Sequence, residues 1–276
     1  MINLVLSVEK LNDVSICPLL YYYKHELRKV SIVKPDYLEE GELMHEGLRI
    51  YYQSKIEKKP IDFTTISELA RNYAAKNLKL SVVNIESTVK DMMMYFNYYG
   101  NKESWEIEAA EEPFAKVLYE DSNVTFIVNG KTDLRAKTMN GQGPRIIVDH
   151  KYEAQFREKS ERDNQPLAYS WAYETSDFVY NRIGKQQSYT PEKRLQRPYF
   201  SYGKHQIEEW RESAIEAAFD ILRYTQNSKF PMRFTGCRIH GNKCTFHDVC
   251  STTPDNREYK LKSSFVDREN KTVMER

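Results

Sequence analysis

The stretch RIIVDHKYEA, residues 145–154, opens as a buried strand with Ile146, Ile147 and Val148 in succession. It then places Asp149 and Lys151 where a core would continue with aliphatics. Strand side chains alternate faces, so Asp149 and Lys151 project to one side, Val148 and His150 to the other. Just upstream, MNGQGP (139–144) is a strong turn sequence, and NVTFIVNGKTDLRAKT (123–138) before it is another β-patterned run. A simple hairpin centred on Gly141 sets Asp133 opposite Asp149, because the two are equidistant from that glycine. Two carboxylates and a lysine then crowd one patch of sheet. Like charges that close are mutually destabilising unless a cation lies between them. A hard divalent ion such as Mg²⁺, which takes carboxylate and water oxygens, resolves the conflict. The competing reading is a cross-strand salt bridge between Asp133 and Lys151 on a solvated face.

At 276 residues, with 40% hydrophobic and 29% charged side chains, the chain can bury a real core and has an ordinary globular composition. A net charge of +1 gives no overall basic field, so any nucleic-acid contact must use a local groove. The 20 tyrosines can pack half-buried or stack on bases. No apolar run reaches the ~18 residues of a membrane span, and MINLVLSVEK lacks the basic start of a signal peptide. The expectation is a cytoplasmic protein without a membrane partner, in whose reducing surroundings four cysteines bind metal rather than form disulfides.

Without internal repeats or long linkers, a single domain over 1–276 is the economical expectation, α/β in class. DYLEEGELMHEGLRIYY (36–52) reads as a helix with Gly41, His45, Leu48 and Tyr52 on one face. Residues 65–99 read as two helical pieces that bear no site chemistry, which points to a helical insert over 53–105. From Glu106 the pattern turns β, with Asp121-Ser122-Asn123 as a hairpin turn. DNQPLAYSWAYE (163–174) predicts a short helix that tolerates Pro166 in its first turn. DFVYNRI and RPYFSYG predict strands, and residues 204–226 a long amphipathic helix. The last ~20 residues are polar and expected to be loose. Gly130-Lys131-Thr132 imitates the end of a phosphate-binding loop, but Thr125 stands where that motif needs glycine and no helix follows, so an ATPase is excluded.

Further motifs surround the Asp149–Lys151 pair. Cys17-Pro18 lies near the start, Gly41 to His45 forms Gly-x-x-x-His, and Glu111 to Phe114 forms Glu-x-Pro-Phe. Gly130 to Asp133 forms Gly-x-x-Asp, Gln165 to Tyr169 forms Gln-x-x-x-Tyr, and Cys237, Cys244 and Cys250 close the series. In this order, spread over nearly the whole chain, they resemble the PD-(D/E)XK nuclease superfamily. The likeness is to its RecB-like branch with an iron–sulfur cluster, which includes the AddB nuclease domain, CRISPR-adaptation nucleases and single-strand DNA exonucleases. The resemblance implies a restriction-endonuclease-like core, a mixed sheet flanked by helices.

The same resemblance implies roles for these residues. Asp133 and Asp149 would be central Mg²⁺ or Mn²⁺ ligands, with the His150 main-chain carbonyl a third, His45 an imidazole ligand and Glu111 an additional acid. Read alone, a histidine on an apolar helix face such as His45 is more often a packed core residue than a ligand. Lys151 would orient or deprotonate the attacking water and offset charge in the transition state. Gln165 and Tyr169, four apart on one helical face, would contact DNA or support the site. Arg157, Lys159 and Arg162 are candidates for phosphate contacts. Cys17, Cys237, Cys244 and Cys250 would hold a [4Fe–4S] cluster that staples segments 1–25 and 230–255 together. The C-x6-C gap departs from the commoner x2 spacing. Zinc remains an alternative, because His240 and His247 lie among these cysteines. The implied function is a metal-dependent exonuclease on single-stranded DNA, 5′ to 3′. Its alternatives are a non-catalytic scaffold for a helicase, recombinase or CRISPR-adaptation partner, and an endonuclease.

Overall fold

A computed structural model describes residues 1–32, 34–59, 62–100, 102–156, 163–239 and 242–268. Contacts divide the chain into two compact units. One comprises Met1–Lys34, Val117–Val128 and Glu212–Arg276; the other comprises Pro35–Lys116 and Asn129–Arg211. The segments 1–25 and 230–255, expected to join, both belong to the first.

The chain starts in the first unit with β1 (Ile2–Ser7), α1 (Val8–Ile16), the short α2 (Pro18–Tyr21) and β2 (Lys29–Ser31). The Ser7 hydroxyl caps α1 by accepting from the Lys10 N–H. Cys17 turns the chain out of α1, and Pro18 opens α2 at the position where its missing N–H costs nothing. In the second unit follow α3 (Asp36–Ile56), α4 (Phe63–Asn77) and α5 (Val82–Tyr99), the latter two capped by Asp62 and Ser81.

The segment expected as a helical insert, 53–105, packs its helices into the core. Leu43, Leu48, Ala70, Met92, Tyr95 and Phe96 are fully buried in one cluster with Leu134, Ile146 and Val148 of the sheet. Gly47 permits the α3–α5 approach, since a Cβ there would lie 2.2 Å from Met92. Asp91 on α5 is buried, accepts from the Tyr152 hydroxyl at 2.8 Å and pairs with Arg194 at 2.6 Å. Periodicity marked α5 as amphipathic; it could not show that the partner surface was the sheet.

The sheet is mixed. β3 (Glu106–Glu120) pairs with β4 (Val124–Lys137), and their turn is held by Asp121, whose carboxylate accepts from the N–H groups of Asn123 and Val124. β4 pairs antiparallel with β5 (Arg145–Glu153), Leu134 facing Val148 and Ala136 facing Ile146, the register expected for a turn centred on Gly141. Gly141 itself has φ +88°, which glycine adopts without strain. After α6 (Asn164–Tyr173), β6 (Asp177–Gly184) lies parallel to β5 on its other side. β5 is therefore interior, which explains its unbroken aliphatic run. α7 (Pro191–Arg194), β7 (Leu195–Gln196) and β8 (Tyr199–Ser201) follow, both strands antiparallel to β6. α8 spans Lys204–Gln226, with Trp210, Ala214, Ala218 and Ile221 buried along one stripe.

Back in the first unit come β9 (Arg238–Ile239), β10 (Asn242–Lys243), α9 (His247–Cys250), α10 (Pro254–Ser264) and β11 (Phe265–Asp267). β11 pairs with β2, Val266 facing Val30. The loose tail was therefore misread up to Asp267. Leu261 and Phe265, four apart, are both buried with Leu20, Tyr23 and Phe246. Within the same unit Asp13 is buried, with His25 at 2.7 Å and Lys24 at 2.8 Å. Among the described residues, no helix is long and apolar enough to cross a membrane.

Phe96→Ala is expected to cost about 3–5 kcal/mol, as for a fully buried phenylalanine, in urea unfolding followed by fluorescence. A loss below about 1 kcal/mol would return α5 to the status of a dispensable cap.

Candidate metal centre

Three elements of the second unit bring ligating groups together. Among the described residues, His45, Glu111 and Asp133 form a set whose ligand atoms all lie within 4.8 Å of one another. His45 stands on α3 beside the buried Met44 and Leu48, with about a third of its side chain exposed. Asp133 lies on β4 one step beyond the last β4–β5 pair. Its Oδ2 accepts the His150 main-chain N–H at 2.7 Å, and its Oδ1 faces His45 Nδ1 at 3.5 Å. Glu111 lies within β3 with φ +53°, a conformation costing a non-glycine residue on the order of 1 kcal/mol. Two positions on, Pro113 has no N–H for the ladder, as is tolerated at bulges. Such irregularities re-aim a side chain, and Glu111 is aimed into this set.

The charges are tightly balanced. Burial disfavours the His45 imidazolium, but the Asp133 carboxylate outweighs it and pushes the pKa up to about 9. Asp133 is held well below the usual carboxylate range: burial acts upwards and is overcome by His45 and the His150 N–H. Glu111 is raised by burial and by Asp133, despite an ion pair with Lys131.

Asp149 and Lys151 project together from β5. Lys151 Nζ lies 2.5 Å from Asp149 Oδ2, so the lysine pairs with its neighbour on the same strand; among the described residues it makes no cross-strand ion pair with Asp133. Asp149 is outside the tight set, with a side chain only 3% exposed. Gln165 on α6 bridges the pair, its Nε2 donating to Asp149 Oδ1 at 2.7 Å and its Oε1 accepting from Lys151 at 3.2 Å. The Tyr169 hydroxyl donates to the Lys131 carbonyl at 3.0 Å, which fixes β4 beside the site. Burial lowers the Lys151 pKa, but Asp149 more than compensates, so the amine stays an ammonium at neutral pH.

His150 points to the opposite face and anchors a network not expected from the sequence. Its ring stacks on Tyr52 at 5.6 Å, and Asn181 Nδ2 lies 2.8 Å from its Nδ1. Asn181 Oδ1 accepts from Arg197 Nε, which fixes the amide orientation, so the Asn181 amide donates and His150 keeps its proton on Nε2. Burial and the nearby His45 and Arg197 charges push the His150 pKa down to about 3, leaving it neutral. Tyr95 receives hydrogen bonds from Asn181 and Arg197, and Arg197 pairs with buried Glu103 while lying 3.5 Å from the Tyr99 ring centre. These residues are far apart in sequence, and no local pattern distinguishes them from core. Gly130-Lys131-Thr132 lies inside β4.

In the first unit the four cysteines are free thiols that sense one another electrostatically. Burial and then Cys244 push Cys250 up to about 11. The Arg233 N–H donates to Cys17 Sγ at 3.3 Å, and the Cys244 N–H to the Cys237 carbonyl at 3.0 Å. Gly236 allows the turn to approach Cys17, since a Cβ there would meet the Ile16 carbonyl oxygen at 2.9 Å. His247 is within hydrogen-bond distance of Asp248 and Ser251; His240, Arg157, Lys159 and Arg162 lie outside the described residues.

The family model of the PD-(D/E)XK nuclease superfamily matches residues 5–251. No curated protein matches the chain. Among solved structures, a protein from Eubacterium rectale named "Putative exonuclease" is similar at 14% identity and a TM-score of 0.48, over 90% of this chain and 93% of that one. A protein designated SSO0001 is similar at 13% identity and a TM-score of 0.31, over 75% and 82%.

In metal-free protein, NMR should show His45 titrating near pH 9, with Asp133→Asn moving the midpoint down towards the ordinary 6.5. Because the imidazole must shed its proton to ligate, Mn²⁺ binding should tighten between about pH 7 and 9. An unmoved midpoint in the variant would take His45 out of the ligand set.

Proposed function

This chain belongs to the PD-(D/E)XK nuclease superfamily, and we propose that within it the protein is a metal-dependent exonuclease that hydrolyses single-stranded DNA from the 5′ end. The observation that carries this reading is the pairing of two groups of residues. A His45–Glu111–Asp133 ligand set stands beside an Asp149–Lys151 pair presented from one strand face.

The donor set suits Mg²⁺ or Mn²⁺: two carboxylates and an imidazole, already gathered and strongly charged. Asp149 and the His150 main-chain carbonyl would complete the set. A bound ion would polarise the scissile phosphate and promote formation of the nucleophile from water. The chain's own groups supply the rest. Lys151, held as an ammonium, orients the attacking water and offsets negative charge as the water oxygen bonds to phosphorus and the ester P–O bond breaks. It does not take the water's proton, because its pKa is raised; that proton passes to solvent, and the leaving alkoxide takes one up from solvent. Gln165 fixes Asp149 and Lys151 relative to each other, a positioning role rather than a DNA contact.

The preference for single strands and the direction rest on the motif order and on the four thiols, which we assign to a [4Fe–4S] cluster. Cys17, Cys237, Cys244 and Cys250 all belong to one compact unit, and four thiolates suit such a cluster. Protein purified without oxygen should be brown, with broad absorbance near ~400 nm; a colourless, zinc-containing preparation would overturn the assignment.

With Mn²⁺ or Mg²⁺ the protein should digest labelled single-stranded oligonucleotides, and a 5′ block should stop it where a 3′ block does not. Asp149→Ala should lower the rate by ~10²-fold or more with an unchanged circular dichroism spectrum. No cleavage by wild-type protein in either metal would favour the non-catalytic scaffold.

A further inference from the structure

Each carboxylate of the site has its own cation. Asp133 has His45, Asp149 has Lys151, and Glu111 has Lys131. The first two cations have roles beside a bound metal, as ligand and as catalytic ammonium. Lys131 has none so far, and its present position conflicts with the ligand set, because its ammonium occupies the carboxylate that Glu111 would offer to the ion. Lys131 lies two residues before Asp133 on β4, so both side chains project from the same face. Its main chain is pinned by the Tyr169 hydroxyl, while its side chain is 33% exposed.

We propose that Lys131 is a displaceable counter-ion. It neutralises Glu111 in the metal-free chain, and when a divalent ion takes that carboxylate the released ammonium pairs with a phosphate of the bound DNA strand. The chain thereby keeps its acidic centre charge-paired before loading and converts the loading event into a phosphate contact. This rests on the metal-centre reading above and adds to it a residue outside the ligand set.

The test is Mn²⁺ binding by calorimetry on the full chain without DNA. Removing a structural ion pair ordinarily weakens a site, whereas removing a competing cation tightens it. Lys131→Gln should bind Mn²⁺ about five-fold more tightly than wild type, the scale of a partly exposed ion pair, and Lys131→Arg should bind as wild type does. With Ca²⁺ in place of Mn²⁺ to hold DNA uncleaved, Lys131→Gln should bind a single-stranded oligonucleotide more weakly, with a log–log salt slope shallower by about 0.7, one phosphate contact. Mn²⁺ affinity in Lys131→Gln that is unchanged or weaker would overturn the counter-ion role, and an unchanged salt slope would overturn the phosphate contact. A wild-type protein that binds no Mn²⁺ would instead overturn the metal-centre reading on which both rest.

Discussion

The antiparallel register of β4 and β5 is the constraint on which the site depends. The ladder closes at Leu134 and Val148. One step further, Asp133 comes opposite Asp149, and its carboxylate accepts the His150 N–H that would otherwise continue the pairing. Side chains alternate with period 2, so a slip of one residue would turn Asp149 into the aliphatic cluster and push Val148 out. Ile146, Val148, Leu134 and Ala136 all lie on the other face within that cluster. Burying an unpaired carboxylate there would cost several kcal/mol. The hydrophobic face thus fixes the polar one.

That constraint concentrates like charges, and the surrounding residues are selected by what they do to them. His45 can stay protonated because Asp133 is beside it, whereas His150 is kept neutral by burial and by neighbouring cations, which outweigh the same carboxylate. The two rings lie 5.9 Å apart and carry opposite preferences. Burial is the largest cause of the difference; Asn181, held in turn by Arg197, uses His150 Nδ1 as an acceptor, and the His45 and Arg197 charges oppose the pull of Asp133 on that ring. A buried polar network of this kind is costly unless fully satisfied, and here each member has partners.

The sequence was legible where chemistry and periodicity coincide. Asp149–Lys151 after an aliphatic run, the Gly141 turn and the α3 stripe could be placed because each is local and each departs from or follows a simple period. Glu111 could be named from its motif, although its left-handed backbone could not be foreseen in a run that otherwise reads as strand. Arg197 illustrates the opposite case. In RPYFSYG it reads as the start of a strand, and only the fold reveals that it meets Glu103 and the Tyr99 ring across 94 residues of chain or more. The tail from Pro254 was misjudged for a related reason. Its mean composition is polar, but two apolar residues at helical spacing are enough to seat it once a complementary surface exists.

That surface comes from the other end of the chain. Leu19, Leu20 and Tyr23 pack with Phe246, Val249 and Phe265, so the first unit closes one of the longest loops the sequence allows. Loop entropy grows only slowly with length, about 0.6 kcal/mol for each doubling, and several buried aromatic contacts are enough to offset it. The Tyr23–Phe246 rings lie 5.2 Å apart across that closure, and Phe246 stacks in turn on Phe265 at 4.7 Å. Cys17 is buried in this apolar cluster and Cys244 and Cys250 pack against it, so any group held by those thiols would reinforce a closure that the apolar side chains also make.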